Sequence, residues 1–128
     1  MDSQSKPLAL IIEDEEQLAD IFTQAMNLAG FETQAIANGQ KAIEQLANLN
    51  PAVVILDLYL PGAAGDKVLA YIRSERHLER VIVVLTTFDS LLADNLREQS
   101  DYVLLKPVSF GQLHDLGIRL RSNLPTTM

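Results

Sequence analysis

The chain has 128 residues, 48% hydrophobic and 21% charged, with six Gly and five Pro. This is the length and balance of one compact domain that buries roughly two thirds of its surface, and it excludes a disordered or collagen-like segment. There is no Cys, and ten Lys and Arg stand against 17 Asp and Glu for a net charge of -7; disulfides, Cys-ligated zinc, iron-sulfur clusters and thiol nucleophiles are excluded, and nucleic acid or anionic lipid is repelled unless positive charge gathers on one face.

The polar start, residues 1–6, does not resemble a secretory signal, and the first apolar run, residues 8–12, has the length of a buried strand. It runs into Glu13, Asp14 and Glu15. A helical pattern follows in Leu18, Ile21, Phe22, Ala25, Met26, Leu28 and Ala29, with Gly30 as its C-terminal stop. Residues 31–36 alternate through Glu32 and Gln34 and predict an edge strand. A second helix is expected over about 40–49, before Pro51, then a buried strand over 53–56 that runs into Asp57. Pro61 and Gly62 predict a turn, and Gly65 a close approach to a third helix over about 67–75. The basic cluster Arg73, Arg76 and Arg80 is expected to be that helix's solvated end, and His77 and His114 are expected at the surface.

A fourth strand over 81–85 leads into Thr86 and Thr87, and a fourth helix begins near Asp89 or Ser90. The fifth strand, 102–105, is continuously apolar like the others and predicts burial on both faces; it leads into Lys106 and Pro107. Ser109 caps a fifth helix carrying Phe110, Leu113, Leu116 and Leu120, and residues 122–128 read as a tail, leaving an ordered core of about 7–121 within one domain, 1–128. Five alternations of strand and helix predict a parallel sheet covered on both faces, a doubly wound α/β domain. The longest apolar runs fall far short of the roughly 20 residues that span a bilayer, so the expectation is a soluble, cytoplasmic protein with no membrane contact.

Ligands bind open parallel sheets beyond the carboxyl ends of the strands, and here those ends are polar. If the first and third strands are neighbours, Glu13, Asp14 and Asp57 converge. Three carboxylates so close would force a proton onto one of them unless a cation intervenes. An all-oxygen set without His or Cys suits Mg²⁺, which keeps room for a phosphate oxygen. Lys106 offers a positive charge and Thr86 a hydroxyl donor, so the set makes a site for a phosphoryl group on Asp57 with its carboxylate as nucleophile.

These residues resemble the receiver domains of two-component response regulators. The resemblance is carried by the acids after Leu10-Ile11-Ile12, the run from Val54 through Asp57 to Pro61-Gly62, the strand end Val84-Leu85-Thr86, and Lys106-Pro107, in order along nearly the whole chain. It implies the flavodoxin-like fold with strand order 2-1-3-4-5, five helices, Mg²⁺, and phosphorylation of Asp57 by a histidine kinase or phosphotransfer protein. It implies that Asp14 ligates the metal directly and Glu13 through water, with Asp57 and the backbone carbonyl of Tyr59 completing the set. Thr86 would be the hydroxyl switch, Lys106 the phosphate clamp, and the Lys106-Pro107 bond cis.

Four positions depart from the family pattern or tune it. Val103 stands where an aromatic coupled to the switch hydroxyl is usual, and Tyr102 beside it is expected to face the other way. Thr87 replaces a small residue and is expected to serve as a β-branched strand residue more than as a second donor. Tyr59 and Phe88 flank the path by which water attacks an acyl phosphate, which implies slow self-dephosphorylation. Two other functions compete: an aspartyl-nucleophile phosphatase, which wants an acid where Tyr59 stands, and an interaction domain independent of phosphorylation. No output domain follows Leu124 in this sequence, so the expectation is either a free-standing regulator acting through protein contact or a receiver cut from a longer chain; beyond the phosphodonor, the expected partners are a downstream protein target or output domain and a second copy in a phosphorylation-dependent dimer, with no direct nucleic acid contact.

Overall fold

The computed structural model describes residues 6–125. The elements follow in the order β1 (Leu8–Ile12), α1 (Glu16–Leu28), β2 (Glu32–Ile36), α2 (Gly39–Leu46), β3 (Val53–Asp57), α3 (Gly65–Ser74), a 3-10 turn (Arg76–Leu78), β4 (Ile82–Thr87), α4 (Ser90–Asn95), a second 3-10 turn (Arg97–Gln99), β5 (Tyr102–Leu105) and α5 (Phe110–Asn123). All strand pairs are parallel, in the order β2-β1-β3-β4-β5. This is the doubly wound, flavodoxin-like architecture expected. α5 runs to Asn123, so the expected tail begins later than residue 122; residues 1–5 and 126–128 lie outside the described residues.

Alternation along the strands divides the core in two. Leu10, Ile12, Val54, Leu56, Val83 and Leu85 point to the side covered by α2 and α3, where they meet Leu46, Val68, Leu69 and Ile72, with Leu92 and Leu96 from α4 and its following turn at the margin. Ala9, Ile11, Val53, Ile55 and Val84 point to the other side and meet Phe22, Met26, Leu113, Leu116 and Leu120 from α1 and α5. Full burial of such side chains contributes about 1.5–3 kcal/mol each. Leu10, Ile11, Ile55 and Leu56 are all among the fully buried side chains, so the middle of the sheet is the rigid platform on which the strand ends stand.

The two edges depart from the centre. β2 is partly exposed along four of its five residues, as its alternation predicts. β5 does not have the two-sided burial expected: Tyr102 is 40% and Leu105 49% exposed, because β5 is the other edge and pairs with β4 alone. Leu104 packs toward α1 and α5 while Val103 packs toward α2 and α3, so Tyr102 does face away from Val103.

Helix starts are set by local side chains. Glu15, Asn38, Asp89 and Ser109 accept the backbone N–H of Leu18, Lys41, Leu92 and Gln112 at the starts of α1, α2, α4 and α5. α2 ends at Leu46, three residues before the expected 49, and α3 begins at Gly65, two before the expected 67. Gly65 can open α3 because it packs on backbone: a Cβ there would stand 2.5 Å from the Asp57 carbonyl oxygen. Gly62 takes φ 85° in the expected turn, a left-handed value that favours glycine.

The basic cluster also reads differently in three dimensions. Arg76 and Arg80 are exposed, but Arg73 is half-buried and donates from Nε to the Gln99 carbonyl (2.7 Å), from Nη1 to the Val81 carbonyl (3.1 Å) and from Nη2 to Asp101 Oδ2 (3.0 Å). It is a tie between α3 and the start of β5, not a solvated helix end. His77 is exposed yet donates Nε2–H to the Leu46 carbonyl at 2.9 Å, and His114 is half-buried and stacks on Phe110 with ring centroids 5.6 Å apart.

Candidate functional site

Glu13 follows β1, where its backbone N–H continues the ladder to the Ile36 carbonyl at 3.1 Å. Asp57 is the last residue of β3, and Thr86 and Thr87 are the last two of β4. Lys106 follows β5, with its N–H on the Thr87 carbonyl at 2.8 Å and a cis bond to Pro107. Because β1, β3, β4 and β5 are successive neighbours in a parallel sheet, in-line strand ends bring Glu13, Asp57, Thr86 and Lys106 to one end of it.

Carboxylate oxygens of Glu13, Asp14 and Asp57 all lie within 4.8 Å of one another. Glu13 and Asp57 are buried; Asp14 is exposed and opens the cluster to solvent. Lys106 Nζ stands 3.1 Å from Glu13 Oε1 and 3.4 Å from Asp57 Oδ1, its side chain 8% exposed. Burial pushes both buried carboxyls above their ordinary values, and the Asp57 charge raises Glu13 further. Lys106 opposes the shift at both, as do the backbone N–H of Glu15 on Glu13 and of Tyr59 on Asp57. One ammonium thus serves two buried carboxylates. Glu13 Oε1 faces it as an ion-pair contact without an aligned hydrogen bond, and the Thr86 hydroxyl oxygen is buried with no partner among the described residues. Native interiors rarely leave such atoms unpaired, and a site awaiting a ligand is one place where they do. Three clustered carboxylates, all-oxygen donors and an orphaned hydroxyl fit a hard divalent cation with an anionic oxygen beside it.

The positions that depart from the family pattern or flank its site divide. Thr87 is buried and its Oγ1 accepts the Asp89 N–H at 3.0 Å; the hydroxyl shapes the loop after β4, a role beyond that of a plain β-branched residue and different from a second donor into the site. Phe88 is 73% exposed, with its ring centroid 5.7 Å from Lys106 Nζ. Tyr59 is 58% exposed, and its hydroxyl donates to Asp89 Oδ2 at 2.6 Å. That bond raises the Tyr59 hydroxyl pKa and lowers that of Asp89. Asp89 was legible only as a helix start: its second partner is 30 residues away in sequence, and no local pattern signals it.

Residues 9–116 match the response regulator receiver domain family. A transcriptional regulatory protein of Bacillus subtilis, YrkP, is 32% identical over 107 residues, which cover 82% of this chain and 45% of that protein. This chain spans about half the length of the curated relatives it matches. The receiver domain of a LuxO repressor protein from Vibrio parahaemolyticus has the same fold, with a TM-score of 0.79 and 26% identity over 91% of this chain and 93% of that one. So does the receiver domain of the sensor histidine kinase PA1611 from Pseudomonas aeruginosa, whose structure holds a magnesium ion in its active-site cleft; there the TM-score is 0.81 at 20% identity, over 94% of this chain and all of that one. Among the described residues no helix is long and apolar enough to cross a membrane. With the strand order, the acids at the ends of β1 and β3 and a family match across most of its length, the chain belongs to the receiver domains of two-component response regulators.

Proposed function

We propose that Asp57 accepts a phosphoryl group from a histidine kinase or phosphotransfer protein in a Mg²⁺-dependent reaction, and that the phosphorylated form alters a protein-binding surface. The observation that carries this is the buried convergence of Glu13, Asp57 and Lys106 beside an unpartnered Thr86 hydroxyl. Glu13, Asp14, Asp57 and the Tyr59 backbone carbonyl are the groups that would hold Mg²⁺. When bound, the ion neutralises the carboxylates and stabilises charge on the transferring phosphoryl oxygens. The magnesium in the cleft of the PA1611 receiver supports the choice of metal.

The chemistry of the chain is in-line displacement. An Asp57 carboxylate oxygen attacks phosphorus, the phosphorus–nitrogen bond of a phosphohistidine breaks, and the imidazole leaves with the electron pair and takes a proton from solvent. Lys106 holds a phosphoryl oxygen, and the Thr86 hydroxyl donates to another. Turnover ends with self-catalysed hydrolysis of the mixed anhydride, so the domain catalyses its own phosphorylation and dephosphorylation and acts on no other substrate. Its downstream partner is a protein, and direct nucleic acid contact by this domain is disfavoured by the net charge of -7.

Intact-mass measurement after incubation with Mg²⁺ and acetyl phosphate tests this reading. One stable phosphoryl adduct, lost in Asp57→Asn and with a chelator, is the expected result. Rapid donor turnover without an adduct would instead identify a phosphatase, and no reaction a phosphorylation-independent interaction domain.

A further inference from the structure

One residue touches both the acid cluster and the first turn of α4. Tyr59 N–H donates to Asp57 Oδ1 at 3.2 Å, while its hydroxyl donates to Asp89 Oδ2 at 2.6 Å. The other oxygen of the same carboxylate, Asp89 Oδ1, accepts the Leu92 N–H at 3.0 Å as the N-cap of α4. Asp89's own N–H is held by Thr87 Oγ1 at 3.0 Å, from the last residue of β4. An unbroken series of hydrogen bonds therefore runs from Asp57 through Tyr59 and Asp89 to Leu92.

α4 is the helix most dependent on such a link. It has six residues, of which Ala93 alone is buried, and Leu91 is 76% exposed. So short a helix has little stability of its own, and an N-cap of ordinary strength changes the helical population about fivefold. Val103, which packs against the same core as Leu92 and Leu96, has no polar atom with which to join the strand ends to the helix.

We infer that Tyr59 and Asp89 couple the state of Asp57 to α4, with Tyr59 a positioning residue whose backbone is set at the acid cluster and whose hydroxyl sets the α4 cap. This rests on Asp57 being the phosphoacceptor. A phosphoryl group on one Asp57 oxygen changes the acceptor that Tyr59 N–H faces. The backbone at 59 then resettles, and displacement of the ring hydroxyl lengthens and weakens the 2.6 Å bond to Asp89. The coupling is reciprocal: whatever loading does to α4, freeing α4 does to loading by the same factor.

The test is hydrogen–deuterium exchange over residues 89–96 with and without Mg²⁺ and beryllium fluoride, a phosphoryl mimic whose uptake is followed by fluorine NMR. Four proteins are compared: wild type, Tyr59→Phe, Asp89→Ser and the double variant. Serine keeps an oxygen for the Leu92 N–H but is too short for the Tyr59 hydroxyl. Loading is expected to change exchange over 91–96 several-fold in wild type. In either single variant the response should shrink at least about threefold, with a matching change in beryllium fluoride affinity, and the double variant should equal the singles. A wild-type response in Tyr59→Phe, or effects that add in the double variant, overturns the coupling alone. Failure of the wild type to take up beryllium fluoride overturns the phosphoacceptor reading, and the coupling with it.

Discussion

The two ends of β4 handle charge in opposite ways. At the amino end, Asp101 Oδ2 accepts both Arg73 Nη2 and the Val83 N–H, and Arg73 donates also to the Val81 and Gln99 carbonyls. At the carboxyl end the Thr86 hydroxyl is buried without a partner, and one ammonium faces two buried carboxylates whose pKa values are raised. Polar groups at the first end are satisfied by the fold itself. At the second they are held ready for something the fold does not supply, which is the physical mark separating a site from a brace.

The largest expected effect tests the carboxyl end. Asp57→Asn removes the proposed nucleophile, so phosphoryl uptake from acetyl phosphate should fall by more than about 10²-fold, to background. Chelation of Mg²⁺ should do the same, because the incoming oxyanions then meet uncompensated carboxylates. Intact mass reads both. Sustained labelling of the variant at another residue would move the site away from the end of β3.

Arg73→Ala tests the amino end and should act on stability alone. It removes three hydrogen bonds from a charged donor but leaves Asp101 its bond to the Val83 N–H. With Arg73 26% and Asp101 43% exposed, solvent screening limits the cost to about 1–3 kcal/mol. Urea unfolding measures it. Phosphoryl uptake per folded molecule should be retained, and a large loss would show that the two ends are not separate.

The same contrast marks what the sequence reveals. Glu13, Asp57, Thr86 and Lys106 were legible because each directly follows or ends an apolar run, and parallel topology carries strand ends to one place. Arg73 was misread, since its partners lie 8 to 28 residues away and nothing in its own helix indicates them. β5 was misread for a related reason. Its run Tyr102–Leu105 is as apolar as the central strands, but burial depends on having a neighbour on each side, and periodicity within one strand carries no information about neighbours.

Unmet electrostatics at the site should also appear in the pH dependence of stability. Glu13 and Asp57 have raised pKa values in the folded protein, so the folded state binds protons more readily than the unfolded state, and stability from this pair falls as pH rises. The cost is that of the charged forms. It is relieved as pH drops through the raised values toward the ordinary 4.5 of glutamate and 3.8 of aspartate, where the unfolded chain begins to titrate. Without metal, Asp57→Asn is therefore expected to be more stable than wild type at neutral pH, by on the order of 1 kcal/mol. The gap should close on acidification and on adding Mg²⁺. Thermal unfolding at several pH values checks this, and a gap that widens toward acid would reverse the sign of the argument.

The smallest expected effect concerns the lifetime of the phosphorylated state. The Phe88 ring centroid lies 5.7 Å from Lys106 Nζ, and the Tyr59 hydroxyl is tied to Asp89. Both are more than half exposed, so any screening of a phosphoryl group on Asp57 is expected to be partial. The larger effect on decay is expected to be chemical: neither ring offers a carboxylate or amide to orient an in-line water. Tyr59→Asn with Phe88→Glu supplies both groups and should hasten decay of the phosphorylated protein by about threefold. Phe88→Ala divides the causes, since it removes the screen without adding an orienting group. If the alanine variant decays as fast as the double variant, screening is the whole effect. If the double variant decays no faster than wild type, the rings have no part in the lifetime, and the polar groups at the carboxyl end of β4 set it alone.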